Sequence, residues 1–361
     1  MALLGSTIND KNGEQKVMIR SCLPKIVSTF AAAVLASGIA TSTLAQEPVV
    51  LKFASFTAPT GLLNAEGIPE FIREVEAASE GTLKIEFYPG GSLGGSPAIQ
   101  LKLVEDGVAD MAQVVASYTP GRFPELGLFE LPFLAANNVE GSLAAWRMFE
   151  AGHLSGFENV HMLGFLESGP YGLHGTFPIT DLDSVKGKKI RAAGPVQGAI
   201  VEALGAVPVG NIAAPSIAEG ISRRLLDGSL MSVASLYGFR IVDAATEHLN
   251  QIPMGSVSVI FPMNKAKYES LPPKAKAALD KFSGDWFTRM AARTQEESEG
   301  QYMADLKAKA GHTIHTLSDA EIEKWRAALE PVKDEWNKPN AKGVNLYEEV
   351  TKILEDIRAE N

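Results

Sequence analysis

The residue best suited to bind an anion is Arg191, the last residue of the segment Lys-Lys-Ile-Arg at 188–191. The pattern predicts a very short strand between a polar turn at Gly187 and a helix that begins after Gly194 and covers 196–204. A planar guanidinium can form two parallel hydrogen bonds with one carboxylate, which a lysine ammonium cannot do. From these residues alone, Arg191 is either a carboxylate clamp or a surface arginine beside three lysines.

Other segments are weaker candidates for chemistry. Residues 90–94, Gly-Gly-Ser-Leu-Gly, match the Gly-x-Ser-x-Gly pattern of a hydrolase nucleophile. Their flanking glycines and Pro89 indicate a flexible turn rather than the strained turn that such a serine requires. His312 and His315 lack a third nearby ligand, so we expect no metal site. The sequence has no phosphate-binding glycine loop, and we predict a binding protein without catalysis or cofactor.

The first 45 residues have the order of a secretory signal. A basic segment at 18–25 is followed by an apolar run at 26–40 and by Thr-Leu-Ala at 43–45. The apolar run has 15 residues, fewer than the roughly 20 that a membrane-spanning helix needs. We therefore predict export, cleavage near Ala45 and no membrane anchor, with Met18 as an alternative start. Cys22 precedes the apolar run, so the exported part has no cysteine.

The rest of the chain can form a large core and carries a strong negative charge. Of the 361 residues of the whole chain, 45% are hydrophobic and 21% are charged, and two domains are expected from this length. The net charge is −10, and it becomes −12 without residues 1–45 because they contain four basic and two acidic residues. This charge excludes nucleic acid as an expected partner and requires that any anionic ligand be held by a local positive pocket.

Apolar periodicity predicts strands alternating with helices. A strand at 49–54, a helix ending at Ser79 and a strand at 82–88 predict a β-α-β unit with parallel strands. The longest helix is predicted at about 273–310, with a kink near Gly284 or Gly300, because glycine weakens a helix interior by about 1 kcal/mol. The other predicted elements are strands at 111–116, 161–166, 230–234 and 256–263, and helices at 98–106, 139–151, 216–225, 318–338 and 345–358.

In combination, these segments resemble the substrate-binding proteins of tripartite ATP-independent periplasmic (TRAP) transporters. The resemblance covers essentially all of the chain after the signal. It rests on Tyr88-Pro-Gly-Gly-Ser-Leu-Gly94, Gly107-Val-Ala-Asp110-Met, Phe123-Pro-Glu, Leu131-Pro-Phe-Leu134, Val185-Lys-Gly-Lys-Lys-Ile-Arg191, Leu204-Gly-Ala-Val-Pro208, Leu226-Asp227-Gly228, Met263-Asn264 and Leu271-Pro272.

The resemblance implies an α/β periplasmic binding protein fold, with two lobes, hinge strands and a long helix that spans both lobes. The first lobe is then expected at 46–168 plus 258–295, and the second at 169–257 plus 296–361, including the C-terminal helices. In that family the arginine of the Lys-Ile-Arg motif pairs with the ligand carboxylate, which implies this role for Arg191. The expected partners are a small organic acid anion and the TRAP permease membrane subunits, and the expected location is the periplasm.

Four positions depart from the sugar-acid binders of the family. Where those proteins have polar or charged residues, this sequence has Phe56, Val115, Tyr171 and Met231. Such a wall would leave each hydroxyl of a sugar acid unpaired, at about 1 to 3 kcal/mol. Most small-molecule pockets are apolar with few polar anchors. We therefore predict a monocarboxylate with an apolar or aromatic body.

Four more residues are candidates for hydrogen bonds to the ligand: Tyr118, His174, Gln197 and Asn211. The first two suit a hydroxyl or keto oxygen, although all four are equally compatible with ordinary residues at a cleft edge. Two alternative functions stay open at this point. The same fold could bind a C4-dicarboxylate or keto acid, or it could serve as the extracytoplasmic input of a sensor.

Overall fold

The computed structural model describes residues 47–360, so the predicted signal peptide and its cleavage site lie outside the described residues. Within this range the chain forms two mixed β-sheets with helices packed on them. The strands are β1 Val49–Ala54, β2 Leu83–Tyr88, β3 Met111–Ala112, β4 Val114–Val115, β5 Val160–Glu167, β6 Gly172–Gly175, β7 Lys189–Arg191, β8 Val207–Val209, β9 Gly228–Met231, β10 Glu247–Leu249, β11 Ser258–Asn264 and β12 Thr313–Ile314.

The helices cover the sheet faces and the C-terminal part of the chain. They are α1 Ile68–Ala78, α2 Gln100–Glu105, α3 Asn138–Glu150, α4 Pro195–Ala203, α5 Ile217–Ser222, α6 Val233–Gly238, α7 Lys265–Glu269, α8 Pro273–Phe282, α9 Asp285–Ala308, α10 Asp319–Asp334 and α11 Leu346–Ala359. None of the helices in 47–360 is both long and apolar enough to cross a bilayer.

The first sheet has the order β2-β1-β3-β11-β4, and β5 also pairs with β11. Strands β1 and β2 are parallel with α1 between them, which confirms the predicted β-α-β unit. The long strand β11 is antiparallel to β5, so the chain returns to this sheet after residue 257. Phe53 of β1 is fully buried and meets the ring of Phe71 edge-on, at 6.4 Å between centroids. Burial of such rings attaches α1 to the sheet.

The second sheet has the order β12-β10-β6-β9-β7-β8 and uses strands of only two to four residues. The strand that carries Arg191, β7, lies between β8 and β9 and is parallel to both. The glycine- and proline-rich segment after Glu167, where the first lobe was expected to end and the second to begin, leads directly into β6 of this sheet.

The predicted strand at 230–234 is wrong in its second half. Strand β9 ends at Met231, and Ser232 caps helix α6 by accepting a hydrogen bond from the Ser235 N–H at 3.2 Å. A serine that accepts such a bond favours the start of a helix over continuation of a strand. The predicted strand at 111–116 is likewise divided at Gln113 into β3 and β4.

The predicted long helix is broken where the sequence indicated a kink. Helices α8 and α9 meet at Gly284, whose φ of +66° places it in the left-handed region that favours glycine. Helix α9, with 24 residues, contacts elements next to both sheets. Its Glu296 accepts from the N–H of Asn138 in α3 at 3.1 Å, and its Glu299 accepts from the N–H of Val233 in α6 at 2.8 Å.

Candidate ligand-binding site

A cavity of about 120 Å³ lies between the two sheets, next to α9. It also borders the crossing segments, which are the stretches before β6 and before β11 where the chain passes from one sheet to the other. Six of the nine predicted site residues line it, and they come from both sheets and from a crossing segment: Phe56, Val115, Tyr118, Tyr171, Arg191 and Met231. A cavity of about 150 Å³ in another protein holds one benzene molecule. The space therefore has the scale of a single six-membered ring with a small substituent.

Arg191 is the cation of this cavity and is 1% exposed. Its Nε donates to the backbone oxygen of Ile212 at 2.9 Å, and its Nη2 donates to the Tyr118 hydroxyl at 2.8 Å. A guanidinium has five N–H groups, so three of them have no hydrogen-bond partner among residues 47–360. A buried charge with unused donors beside a cavity is a strong site for an anion, because an anion supplies both charge and acceptors.

Tyr118 holds the guanidinium in place from the other side of the cleft. It follows β4 of the first sheet, whereas its hydroxyl accepts hydrogen bonds from Arg191 and from the N–H of Ala214, at 2.8 and 3.0 Å. Both partners belong to segments of the second sheet side. Since the oxygen accepts twice, its own proton is free to be donated to a further acceptor.

Glu130 is a buried acidic residue whose pKa is influenced by the charge of Arg191. The two side chains do not form an ion pair within the described part of the chain. Burial and, to a lesser extent, the nearby Glu167 raise the pKa of the Glu130 carboxyl to about 8, and Arg191 opposes the shift. At neutral pH Glu130 is therefore mostly uncharged. The positive charge of Arg191 is left available to the cavity.

Tyr171 lines the cavity, and its hydroxyl lies 2.8 Å from Ser168 Oγ. Ser168 Oγ donates to the backbone oxygen of Val257 at 3.0 Å, so it accepts the proton of Tyr171. Burial raises the pKa of Tyr171 above its ordinary value and keeps the phenol neutral. The position thus contributes an uncharged ring to the wall.

Aromatic and aliphatic side chains form the rest of the wall. The rings of Phe56 and Phe239 are parallel within 7°, with centroids 6.4 Å apart, and both line the cavity. Phe56 follows β1 of the first sheet and Phe239 follows α6 on the second sheet side. An apolar ligand body between such walls gains contact area without leaving polar groups unpaired.

His174 lies outside the cavity, in a histidine row formed by His174, His248 and His312. Its Nε2 is 3.0 Å from the backbone oxygen of Met231, which only accepts, so Nε2 carries the proton. Its Nδ1 must then accept from Nδ1 of His248, at 3.0 Å, and Nε2 of His248 must accept from Nδ1 of His312, also at 3.0 Å. Burial lowers the pKa of His174 to about 4 and that of His248 to about 3, so the row is neutral.

Gln197 and Asn211 also lie outside the cavity. Gln197 is fully buried, and its amide accepts from the N–H of Ala193 at 2.8 Å and donates to the backbone oxygen of Ser256 at 3.4 Å. It therefore ties α4 to the segment that precedes β11. Asn211 is exposed, has a φ of +59° and borders a separate, more open depression that shares Tyr118 with the cavity.

The cavity also contains polar residues that the sequence did not single out: Thr57, Asn64, Gln113, Gln295, Ser298 and Tyr302. Two signals were present. Gln113 is a polar residue in an otherwise apolar strand, and the last three recur at helical spacing on α9. The serine of the hydrolase-like segment, Ser92, is instead exposed in a turn, where its hydroxyl donates to the backbone oxygen of Pro89 at 3.1 Å.

Residues 54–339 match the family model described as bacterial extracellular solute-binding protein, family 7 (DctP). The chain belongs to this family. The match covers the second sheet, the strands of the first sheet other than β1, and every residue that lines the cavity. The predicted TRAP resemblance is confirmed, as is the prediction of a solute-binding protein rather than an enzyme.

Solved family 7 relatives share the whole fold. A TRAP solute-binding protein from a marine metagenome, specific for aromatic acid ligands and co-crystallised with 3-hydroxybenzoate, is 30% identical, with a TM-score of 0.79 over 86% of this chain and 98% of that one. A TRAP solute-binding protein from Rhodoferax ferrireducens, with copurified benzoate, is 26% identical, with a TM-score of 0.80 over 86% and 99% of the two chains. The predicted α/β binding-protein fold is confirmed, and in this chain it is built on two mixed sheets.

A curated relative is also described as a solute-binding protein. The solute-binding protein of Albidiferax ferrireducens is 27% identical over 312 residues, which cover 80% of this chain and 88% of the relative.

Proposed function

We propose that the protein binds an aromatic or similarly apolar monocarboxylate in this cavity and delivers it to a TRAP permease. One observation carries the proposal: Arg191 is buried without a carboxylate partner in the described residues and keeps three N–H groups for the cavity. The ligand carboxylate would take two of these in parallel, the arrangement in which arginine binds carboxylates most strongly. Tyr118 fixes the guanidinium from the opposite side of the cleft.

The walls and the volume support an apolar ligand body. Phe56, Val115, Tyr171, Met231 and Phe239 would surround it, and about 120 Å³ suits one ring better than a long or branched chain. The ligands of the two solved relatives, 3-hydroxybenzoate and benzoate, are aromatic acids of this size. A C4-dicarboxylate fits less well, because Arg191 is the cation among the residues that line the cavity and would leave one carboxylate unpaired.

Delivery requires that the protein take up its ligand outside the cytoplasm and release it at the membrane. We infer from the family that it works in the periplasm after loss of residues 1–45, with lobes at 46–168 plus 258–295 and at 169–257 plus 296–361 closing on the ligand. A sensor that docks on a receptor instead would use the same cavity. Two permease genes beside this gene would favour transport, whereas an adjacent histidine kinase gene would favour sensing.

A thermal-shift screen with calorimetry tests the ligand class. Benzoate, 3-hydroxybenzoate and mandelate should stabilise the protein, since a ligand at a hundred times its dissociation constant adds about 2.7 kcal/mol to the free energy of unfolding. Succinate and sialate should stabilise it little. Stabilisation by succinate or sialate, without any by the aromatic acids, would overturn the proposal. Native mass spectrometry of the purified protein would identify a copurified ligand directly.

A further inference from the structure

A polar cluster lies on the first-sheet side of the cavity, away from β7 and Arg191. It consists of Ser55 and Thr57 after β1, Asn64 before α1, and Gln113 between β3 and β4. Asn64 is 5% exposed and Gln113 is 6% exposed, and both side chains line the cavity. A strand residue such as Gln113 needs a reason to carry an amide into an apolar wall, since burial of an unpaired amide is unfavourable.

The orientation of the Asn64 amide is fixed by its partners. Its Nδ2 donates to the backbone oxygens of Thr57 and Ala58, at 2.9 and 3.1 Å, and backbone oxygens only accept. The nitrogen therefore faces the loop, and Oδ1 faces away from it. This oxygen is buried and has no hydrogen-bond partner among residues 47–360.

The Gln113 amide has unused hydrogen-bond donors, whereas Asn64 has an unused acceptor. Its Oε1 accepts from the hydroxyls of Ser55 and Thr57, at 2.6 and 3.0 Å. Its Nε2 makes no hydrogen bond to the described protein, so two N–H donors are left over. The hydroxyl of Thr57 contacts both amides, at 2.9 Å from Asn64 Nδ2 and 3.0 Å from Gln113 Oε1, so it links the two amides.

Gln113 leaves two unused donors at one end of the cavity, and Asn64 leaves one unused acceptor buried in the wall beside them. A hydroxyl satisfies both, because it accepts from the Gln113 N–H and donates to Asn64 Oδ1. A carboxylate could not donate, an ammonium could not accept, and a methyl or ring C–H could do neither. The cluster thus distinguishes a neutral hydroxyl from the other common substituents.

We propose that Asn64 and Gln113 form a hydroxyl-recognition subsite, so that the ligand is an aromatic monocarboxylate with a ring hydroxyl. The proposal rests on the proposed function, in which Arg191 on the second sheet binds the carboxylate. None of the hydrogen bonds of the cluster reaches Arg191, so the hydroxyl is proposed to bind apart from the carboxylate. This places it at the meta or para position of a benzoate rather than at the adjacent ortho position.

Calorimetry with a ligand series tests the subsite. The series is benzoate, 3-hydroxybenzoate, 4-hydroxybenzoate and 3-methoxybenzoate, measured on the wild type and on Gln113→Met. The wild type should bind one of the two hydroxybenzoates at least about tenfold more tightly than benzoate, because sites that hydrogen-bond a hydroxyl reject analogues that lack it. The methoxy compound, which accepts but cannot donate, should lose that advantage.

The variant should reduce the contribution of the hydroxyl. Gln113→Met should lower the preference for the hydroxybenzoate over benzoate to about threefold or less. Gln295→Met is the matched control, since Gln295 is an amide that lines the same cavity from α9. It should leave the hydroxyl preference intact.

The outcomes separate the subsite from the proposed function. Benzoate binding with no preference for either hydroxybenzoate would overturn the subsite and spare the function. Loss of the preference in Gln295→Met but not in Gln113→Met would also overturn it, because the hydroxyl would then be bound by α9. If none of the aromatic acids binds, both proposals fall.

Discussion

Two buried polar groups of the second sheet, Arg191 on β7 and the histidine row that starts at His174 on β6, have opposite hydrogen-bond balances. Along the row each buried ring nitrogen has a partner, and a single pattern of protons satisfies the chain from Met231 to His312. Arg191 uses two of its five N–H groups and lines a cavity with the others. Burial and polarity are common to both, so they do not identify a binding site. Unused hydrogen-bond capacity beside open space does.

The largest expected effect comes from removing the guanidinium. Arg191→Met should weaken binding of 3-hydroxybenzoate by about 2 to 5 kcal/mol, because the bound carboxylate would be buried without its partner. The free energy of unfolding of the ligand-free protein should not fall, since the variant replaces a buried charge that has no carboxylate partner in the described chain. Calorimetry and chemical denaturation measure the two effects.

Arg191→Lys is the control for that variant. It keeps the charge but loses the planar pair of donors, so its affinity should lie between the wild type and Arg191→Met. Unchanged affinity in Arg191→Met would contradict a binding role for Arg191, which is what distinguishes it from the histidine row.

The row should behave in the opposite way. His248→Leu leaves Nδ1 of His174 buried without a donor, which should lower the free energy of unfolding by about 1 to 3 kcal/mol. The affinity for 3-hydroxybenzoate should change by less than about threefold, because the row lies outside the cavity. His312→Leu should cost less stability, since His312 is at the partly exposed end.

Stability should also depend on pH through the row. The pKa values of His174 and His248 are lowered to about 4 and about 3, below the ordinary value of 6.5. Their contribution is therefore complete above pH 6.5 and is lost as pH falls towards 4. His248→Leu should weaken this acid sensitivity in denaturation curves; an unaltered pH profile together with a large loss of affinity would contradict a structural role.

The smallest expected effect concerns Glu130, because an ionised Glu130 would partly neutralise the positive charge of Arg191. Its pKa is raised to about 8, so it ionises as pH rises above 8 and then places a negative charge near the guanidinium. Affinity for 3-hydroxybenzoate should fall by several-fold, up to about tenfold, between pH 7 and pH 9. Glu130→Gln should keep its affinity over this range in calorimetry. An equal decline in both proteins would show that another group is responsible.

The sequence predicted the parts of the fold that rest on local patterns. The β1-α1-β2 unit followed from alternating and helical apolar spacing, and the break at Gly284 followed from the conformational freedom of glycine. The histidine row was not predictable in this way. Strands β6, β10 and β12 have two to four residues, too few to show a period, and they are brought together only by pairing between distant parts of the chain.

The sequence pointed to residues of the cavity where one residue type implied one chemistry. Arg191 stood out because its fork suits a carboxylate, and the apolar substitutions predicted the aromatic wall. His174 and Gln197 could not be separated from binding residues, because the partners that satisfy them are 74 and 59 positions away. Asn64 and Gln113 were missed for the same reason, since only the folded network shows which of their atoms are left unpaired.

The hydroxyl of Tyr118 joins the first-sheet side to Arg191 and Ala214 on the second-sheet side. Any movement that parts the sheets must break both bonds and let water hydrate the guanidinium. Closing again strips that water away, which is unfavourable for a cation unless a counter-ion arrives with it. If the protein functions as proposed, closure of the cleft would thereby be thermodynamically linked to ligand binding, and a permease that recognises only the closed form would rarely meet a ligand-free protein.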